Sequence, residues 1–401
     1  MLNKIYKSIR GRWVDEVCPY CFEIFRLKDT PFRCASHFSR CAPEPDAVLD
    51  KAWGDKRPLG KVLPSTGHFT SSMLCGDCGQ RSHKRLCPLC HQELPHTFGE
   101  YRNYIFAVIG AKGAGKSHYI PALVEQIKHH AGPRMHMLLQ PVNDNTINRY
   151  RNDFYEPIYN RRRQLVTTQS ATADNRVQLP LTFSLTFTGH GFLDKGRIKK
   201  AVTISFFDTA GEDMKSEDTM SIVNKYIYRS DGILLLLDPL QIDRVRDCLG
   251  QSANLPQKET ETEDIVPRVT ELIRKGWKGR GLDSGEKIKI PLAVALSKLD
   301  ALKPLMHPQM QLMASSKAGT AFDKRDFDAM DAEVRSFIMQ WKSEHLIQQV
   351  TTAFASHGFF GLSALGNPPT TTGDIPSIMP HRVADPFLWL LYKNGLIRSA
   401  S

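Results

Sequence analysis

From residue 104 onward the chain falls into short apolar runs separated by polar, glycine-bearing turns. Tyr104–Ile109 is a short apolar strand that feeds a glycine-rich loop, and a helix is predicted from Ser117 to about His130. Leu181, Phe183, Leu185 and Phe187 alternate with Thr182, Ser184, Thr186 and Thr188, the period of two that a strand requires. Val202, Ile204 and Phe206 repeat the pattern beyond the turn around Gly189–Gly196, so the two runs predict an antiparallel pair. Ile233–Leu237 and Leu292–Leu296 are continuous apolar runs, as in strands covered by helices on both faces. Phe359–Leu362 predicts a last strand and Pro386–Leu396 a closing helix. The expected fold class is therefore α/β: a mostly parallel, doubly wound sheet with one antiparallel edge strand.

The first part of the chain lacks such periodicity. Of nine cysteines, eight lie before residue 91 and Cys248 alone falls later. We place a boundary near His96-Thr97-Phe98-Gly99, giving a cysteine-rich region 1–96 and an α/β domain 97–401. Insertions are expected at about 131–180, which carries the basic, aromatic stretch Asn148–Gln164, and at 241–289, with the acidic run Glu259–Asp264. No apolar run approaches the roughly 18 residues of a membrane helix. The N-terminal residues Met1–Lys7 have no following apolar segment, so a cytoplasmic protein without a secretory signal is expected. The net charge of +11 admits an acidic partner. Lys and Arg are spread over both halves, so nucleic acid is not the favoured one.

Chemistry enters at Gly110–Ser117, which reads Gly-Ala-Lys-Gly-Ala-Gly-Lys-Ser, a full GxxxxGKS loop between a strand and a helix. The backbone N–H groups of Gly110, Gly113, Ala114 and Gly115 can surround a β-phosphate at the positive end of a helix. Lys116 would reach β- and γ-phosphate oxygens, and Ser117 would give its hydroxyl to Mg²⁺. Asp208 ends a strand ahead of Thr209-Ala210-Gly211-Glu212, where a carboxylate can sit near that metal while the Gly211 N–H meets the γ-phosphate. Ser297-Lys298-Leu299-Asp300 follows a buried strand. Asp300 can accept two hydrogen bonds from guanine N1–H and its amine, which adenine cannot offer, and the Lys298 stem can pack along the base. Two such bonds at about 1.5–3 kcal/mol each give well over a hundredfold discrimination. Ser363-Ala364, after the last strand, would present a backbone N–H to guanine O6.

The order GAKGAGKS, DTAGE, SKLD, SAL is similar to the TRAFAC class of P-loop GTPases, to which Ras-like proteins and translation factors belong, over roughly residues 100–400. The antiparallel pair ahead of DTAGE supports that class over the MinD-like one, whose loop lysine is the second motif residue where Lys112 here is third. The cysteine clusters and the closing Val383–Leu391 resemble the bacterial double-GTPase families. That resemblance implies a GTPase of multi-gene prokaryotic systems suspected in conflict or antiviral defence. It also implies GTP or GDP with Mg²⁺ as cofactors, and a metal-binding threonine before the hairpin. Thr167 and Thr168 are the candidates, with Thr146 an open alternative. Glu212 stands where Ras-like enzymes carry the glutamine that orients water, so hydrolysis is expected to be slow or partner-dependent. Lys112 would lean over the phosphates or face solvent. Arg161–Arg163 read as a solvated face, with a cis arginine finger as the alternative.

Cys75-x₂-Cys78-x₈-Cys87-x₂-Cys90 forms two knuckles, each able to fill two corners of a tetrahedral Zn²⁺. Cys18-x₂-Cys21-x₁₂-Cys34-x₆-Cys41 makes a second set, in which His37 could replace a ligand. Two structural zinc ions are expected, paired sequentially as 18/21/34/41 and 75/78/87/90, although an interleaved cross-brace would use the same eight residues. His83, His91 and His96 are read as bystanders. Together these features predict a GTP-hydrolysing switch whose zinc region docks a protein partner. A zinc-bearing nucleic-acid NTPase and a GTP-binding scaffold with little turnover are the alternatives.

Overall fold

The computed structural model describes residues 15–36, 41–96, 98–99, 101–165, 179–189, 198–206, 217–250, 255–258, 264–276, 282–283, 285–317 and 319–400, with backbone only at 198–199 and 217–221. Thr167, Thr168, Asp208, Gly211, Glu212 and His37 lie outside the described residues.

The core of the α/β part is a four-stranded parallel sheet. Its strands are β1 (Phe106–Gly110), β5 (Gly232–Leu237), β6 (Leu292–Leu296) and β7 (His357–Gly361), in the spatial order β7-β6-β5-β1. Every residue of β5 and β6 is buried, which is why their sequences show no polar alternation. Helix α1 (Lys116–Gln126) follows β1, and α8 (Asp385–Lys393) packs Phe387 edge-on against Phe106 at 5.4 Å.

The expected antiparallel pair is present as β3 (Leu181–Thr188) and β4 (Ile198–Phe206). It is not a single edge: β2 (Met137–Pro141) joins it, making a separate three-stranded antiparallel sheet in the order β2-β3-β4. In β2 Met137 and Leu139 are buried while Leu138 is half exposed, so an apolar residue on the solvent face hides the alternation. Helix α2 (Asp144–Arg149) follows, capped by the Asn143 side chain, and continues into a π-helical stretch, Tyr150–Asn160.

The two sheets meet at Tyr104, whose N–H donates to Thr203 O at 3.1 Å. Further along, a side chain replaces the ladder. Tyr226, on α3 (Glu217–Tyr228), accepts from the Val108 N–H at 3.0 Å and donates to Phe106 O at 2.8 Å. One phenol thus satisfies a donor and an acceptor on the edge of β1, groups too costly to bury unpaired.

Residues 15–99 form short two-stranded ladders and the helix Ala47–Trp53, gathered round two small cores. Phe22, whose ring is buried in the large α/β core, and Val17, packed against that core, belong elsewhere.

A buried ion cluster locks the end of the α/β part. The Arg382 guanidinium, fully buried, donates to Asp326 at 2.9 Å and Asp385 at 2.7 Å and to the carbonyls of Gln311 and Ala314. It ties α6 (Lys324–Gln340) to α8 and to the turn between them and β6. Arg382→Met leaves two buried carboxylates without their cation. The expected loss is about 3–5 kcal/mol of stability in urea unfolding at neutral pH.

Candidate functional site

The described loops that carry candidate chemistry leave the same end of the parallel sheet. The register sets Gly110 opposite Leu236, Leu237 opposite Leu296, and Leu296 opposite Gly361. The glycine-rich loop, Asp238, Ser297–Asp300 and Ser363-Ala364 therefore all emerge at the carboxyl ends of adjacent strands, where open α/β sheets hold ligands.

Gly113 and Gly115 adopt φ of +75° and +92°, conformations that a side chain would strain. At Gly110 the reason is space: a Cβ would lie 2.6 Å from Leu236 O. The loop returns so that Lys116 Nζ donates to Gly110 O at 2.8 Å and Ala111 O at 3.1 Å, spanning the loop's own mouth. Ser117 and Lys112 are half-buried in the same loop and helix start.

On the other side of β5, Ser297 is buried, and its hydroxyl donates to Leu237 O at 3.1 Å. Lys298 has a left-handed backbone, φ +53°, and its ammonium lies 2.6 Å from the buried Asp238 carboxylate. The Ser363 hydroxyl donates to Asp300 Oδ1 and accepts from the Gly366 N–H. Ser363 and His381 exchange backbone hydrogen bonds of 3.0 and 2.8 Å, which fixes the loop bearing Ala364. Of these supports, Asp238 had a weak sequence signal, because it closes an apolar run, and His381 had none.

His118 follows Ser117. Burial, with Lys298 nearby, lowers its imidazole to about 4, so the ring is neutral at physiological pH. Its Nε2 accepts the Leu165 N–H at 3.2 Å. Gln164 N–H reaches Gly373 O at 2.8 Å, and Arg163 pairs with Asp374 at 3.2 Å. Of the threonine candidates, Thr146 is the one among the described residues; it is buried and its hydroxyl accepts the Thr182 N–H at 3.2 Å.

The cysteines form two tetrads whose sulfurs all lie within 4.8 Å of one another: Cys18, Cys21, Cys87, Cys90, and Cys34, Cys41, Cys75, Cys78. This corrects the sequential pairing, because knuckles far apart in the chain share a site. The cause is the path between them: Phe32–Arg33 pairs with Val62–Leu63 and Phe32 bridges to Arg85, bringing the late knuckles back onto the early ones. Sulfur separations of 3.8 Å (Cys18–Cys90), 3.9 Å (Cys21–Cys87), 3.7 Å (Cys34–Cys78) and 3.6 Å (Cys41–Cys75) match the tetrahedral edge of about 3.8 Å set by a Zn–S bond near 2.3 Å. Backbone N–H groups of Tyr20, Ser36 and Leu89 point at Cys18, Cys34 and Cys87 sulfurs, as a thiolate shell requires. The donor set fits zinc, and among the described residues all eight ligand atoms are cysteine sulfurs. His91 instead pairs with the buried Asp46 at 2.8 Å, and His83 with Ser71 O.

No known family profile matches the chain. A protein of Mycolicibacterium smegmatis named "Putative ESX-1 scaffolding and assembly protein SaeC" is 28% identical over 332 residues, spanning 78% of this chain and 80% of that protein. Among solved structures, the chain is similar to the Arl6 BBS3 small GTPase of Trypanosoma brucei bound to GppNp. That match has 13% identity and a TM-score of 0.28, over 73% of this chain and 98% of that one. It is also similar to the Ski7 GTPase-like domain of S. cerevisiae bound to GDP and inorganic phosphate, with 14% identity and a TM-score of 0.30, over 73% of this chain and 50% of that one. Likenesses that loose leave the assignment to the chain's own loops. No helix among the described residues is long and apolar enough to cross a membrane.

Proposed function

We propose that the chain is a GTP-binding switch that hydrolyses GTP slowly and works in assembling a multi-protein machine. The observation that carries the reading is the emergence of GAKGAGKS, SKLD and SAL from adjacent carboxyl strand ends. In this reading the 110–117 loop cradles the phosphates, with Lys116 turning from its own carbonyls to the β- and γ-oxygens. Ser117, Asp208 and Thr167 or Thr168 would hold Mg²⁺, and the Gly211 N–H would meet the γ-phosphate. Glu212 and Lys112 set the pace of hydrolysis. Ser297, Lys298, Asp300, Ser363 and Ala364 read guanine. The chemistry that Mg²⁺ would supply there is neutralisation of phosphate charge. Two zinc ions hold region 1–96, which, with the insertions, offers docking surface to a protein partner.

The name of the M. smegmatis relative supports the assembly role, and a defence role rests on the sequence resemblance alone. The same name, with Glu212 in the water-orienting place, favours a second reading in which the protein is a GTP-binding scaffold with negligible turnover.

Calorimetry with GDP and with ADP, each with Mg²⁺, tests the first claim; a preference for GDP of about a hundredfold is expected. Single-turnover hydrolysis of GTP then separates the two readings. A rate constant on the order of 10⁻⁴–10⁻³ s⁻¹ fits a switch awaiting an activator, and phosphate release no faster than in buffer fits the scaffold.

A further inference from the structure

The knuckle Cys18–Cys21 does not end in its own small core. Phe22, the next residue, has φ +56°, an uncommon and costly conformation for a bulky side chain. The turn sends its ring across to Tyr226, with centroids 5.0 Å apart and planes at 42°. Both rings are buried. Around this contact, Glu23 pairs with Lys225 at 2.7 Å and Val17 O accepts from Asn103 at 2.8 Å. The amide of Asn143 caps α2 with its oxygen while its nitrogen donates to Tyr20 Oη at 2.8 Å. The first cysteine tetrad is thus fastened to the α/β part by the residues between and beside its ligands.

Tyr226 is the second half of the connection. Its hydroxyl holds Phe106 O and the Val108 N–H, on the strand that ends at Gly110. Gly110 O and Ala111 O are the groups that receive Lys116 Nζ. From a metal ligand to the glycine-rich loop the path is therefore short and packed: Cys21, Phe22, Tyr226, β1, Gly110.

We propose that metal occupancy of the Cys18/Cys21/Cys87/Cys90 site and nucleotide occupancy of the glycine-rich loop are linked through Phe22 and Tyr226, so that the zinc region serves as a built-in support of the nucleotide site. Tyr226 is a positioning residue that acts through β1. The inference rests on the nucleotide reading above. Linkage is reciprocal, so whatever factor metal contributes to nucleotide affinity, nucleotide returns to metal affinity.

The experiment equilibrates the zinc-loaded full chain with a graded zinc-selective chelator, with and without saturating GDP and Mg²⁺, and measures zinc retained. One of the two ions is expected to be held about fivefold more tightly, or more, when GDP is present. Tyr226→Phe keeps the ring against Phe22 but removes both backbone hydrogen bonds. It is expected to bind two zinc ions and GDP yet lose the shift. GDP binding with no shift in the parent protein, or a shift undiminished in Tyr226→Phe, overturns the linkage and leaves the nucleotide reading standing. A protein that binds no GDP overturns both.

Discussion

A chain carrying Cys21→Ser together with Cys87→Ser is expected to retain one zinc ion of two, whereas Cys21→Ser with Cys41→Ser is expected to retain none. The first pair removes two ligands from one tetrad, and the second removes one from each. Sequential pairing demands the opposite result, so zinc per chain after desalting decides between them. The effect is large because a structural zinc site supplies on the order of 10 kcal/mol to folding. A region this small has no deep core to replace it. It is also local. Tyr20, Phe25, Leu27, Leu49 and Trp53 gather at the first tetrad, while Phe32 and Leu63 gather at the second. Loss of one ion should therefore loosen one cluster and spare the other, and the first pair of substitutions should expose Phe22 as well.

That result would also mark where sequence reasoning stops. Cysteine spacing shows which two residues make a knuckle, because two intervening residues close one turn. Phe22, Gly79 and His91, each just past a knuckle, share a left-handed backbone and a return N–H bond to the first cysteine's carbonyl. Which knuckles share an ion depends on strand pairing between residues 32 and 94, and two-residue strands leave no periodicity to read. The parallel core was legible for the opposite reason. Ile233–Leu237 and Leu292–Leu296 are apolar without interruption, and only a strand covered on both faces tolerates that. Strand β2 escaped because Leu138 sits on the solvent side. Tyr226 escaped because a phenol that completes a strand edge has the same sequence signature as any helical tyrosine. The glycine-rich loop and the SKLD segment could be named from sequence, but their supports could not. Asp238 and His381 act through contacts 60 residues distant in the first case and through backbone pairing in the second.

Asp300→Asn is expected to lower GDP affinity by about a hundredfold or more and to raise affinity for xanthosine diphosphate. The argument is one of donors and acceptors. A carboxylate offers acceptors to guanine N1–H and to the amine at C2. An amide turns one of those acceptors into a donor, which guanine's amine rejects and xanthine's C2 carbonyl accepts. The geometry permits the exchange because the Ser363 hydroxyl donates to Asp300 Oδ1, and an amide oxygen can receive the same bond. Ser363 can thereby hold the same rotamer in both proteins, and the second position is the one that the substitution changes. Asp300→Ala removes both interactions and should lose GDP affinity without any gain for the xanthine nucleotide. That contrast separates base recognition from mere loop collapse. Calorimetry on the three proteins with GDP, xanthosine diphosphate and ADP reads all of it. Were the parent protein to bind GDP and ADP equally, Asp300 would be only an anchor for Ser363, and the chain would be reread as a zinc-bearing ATPase.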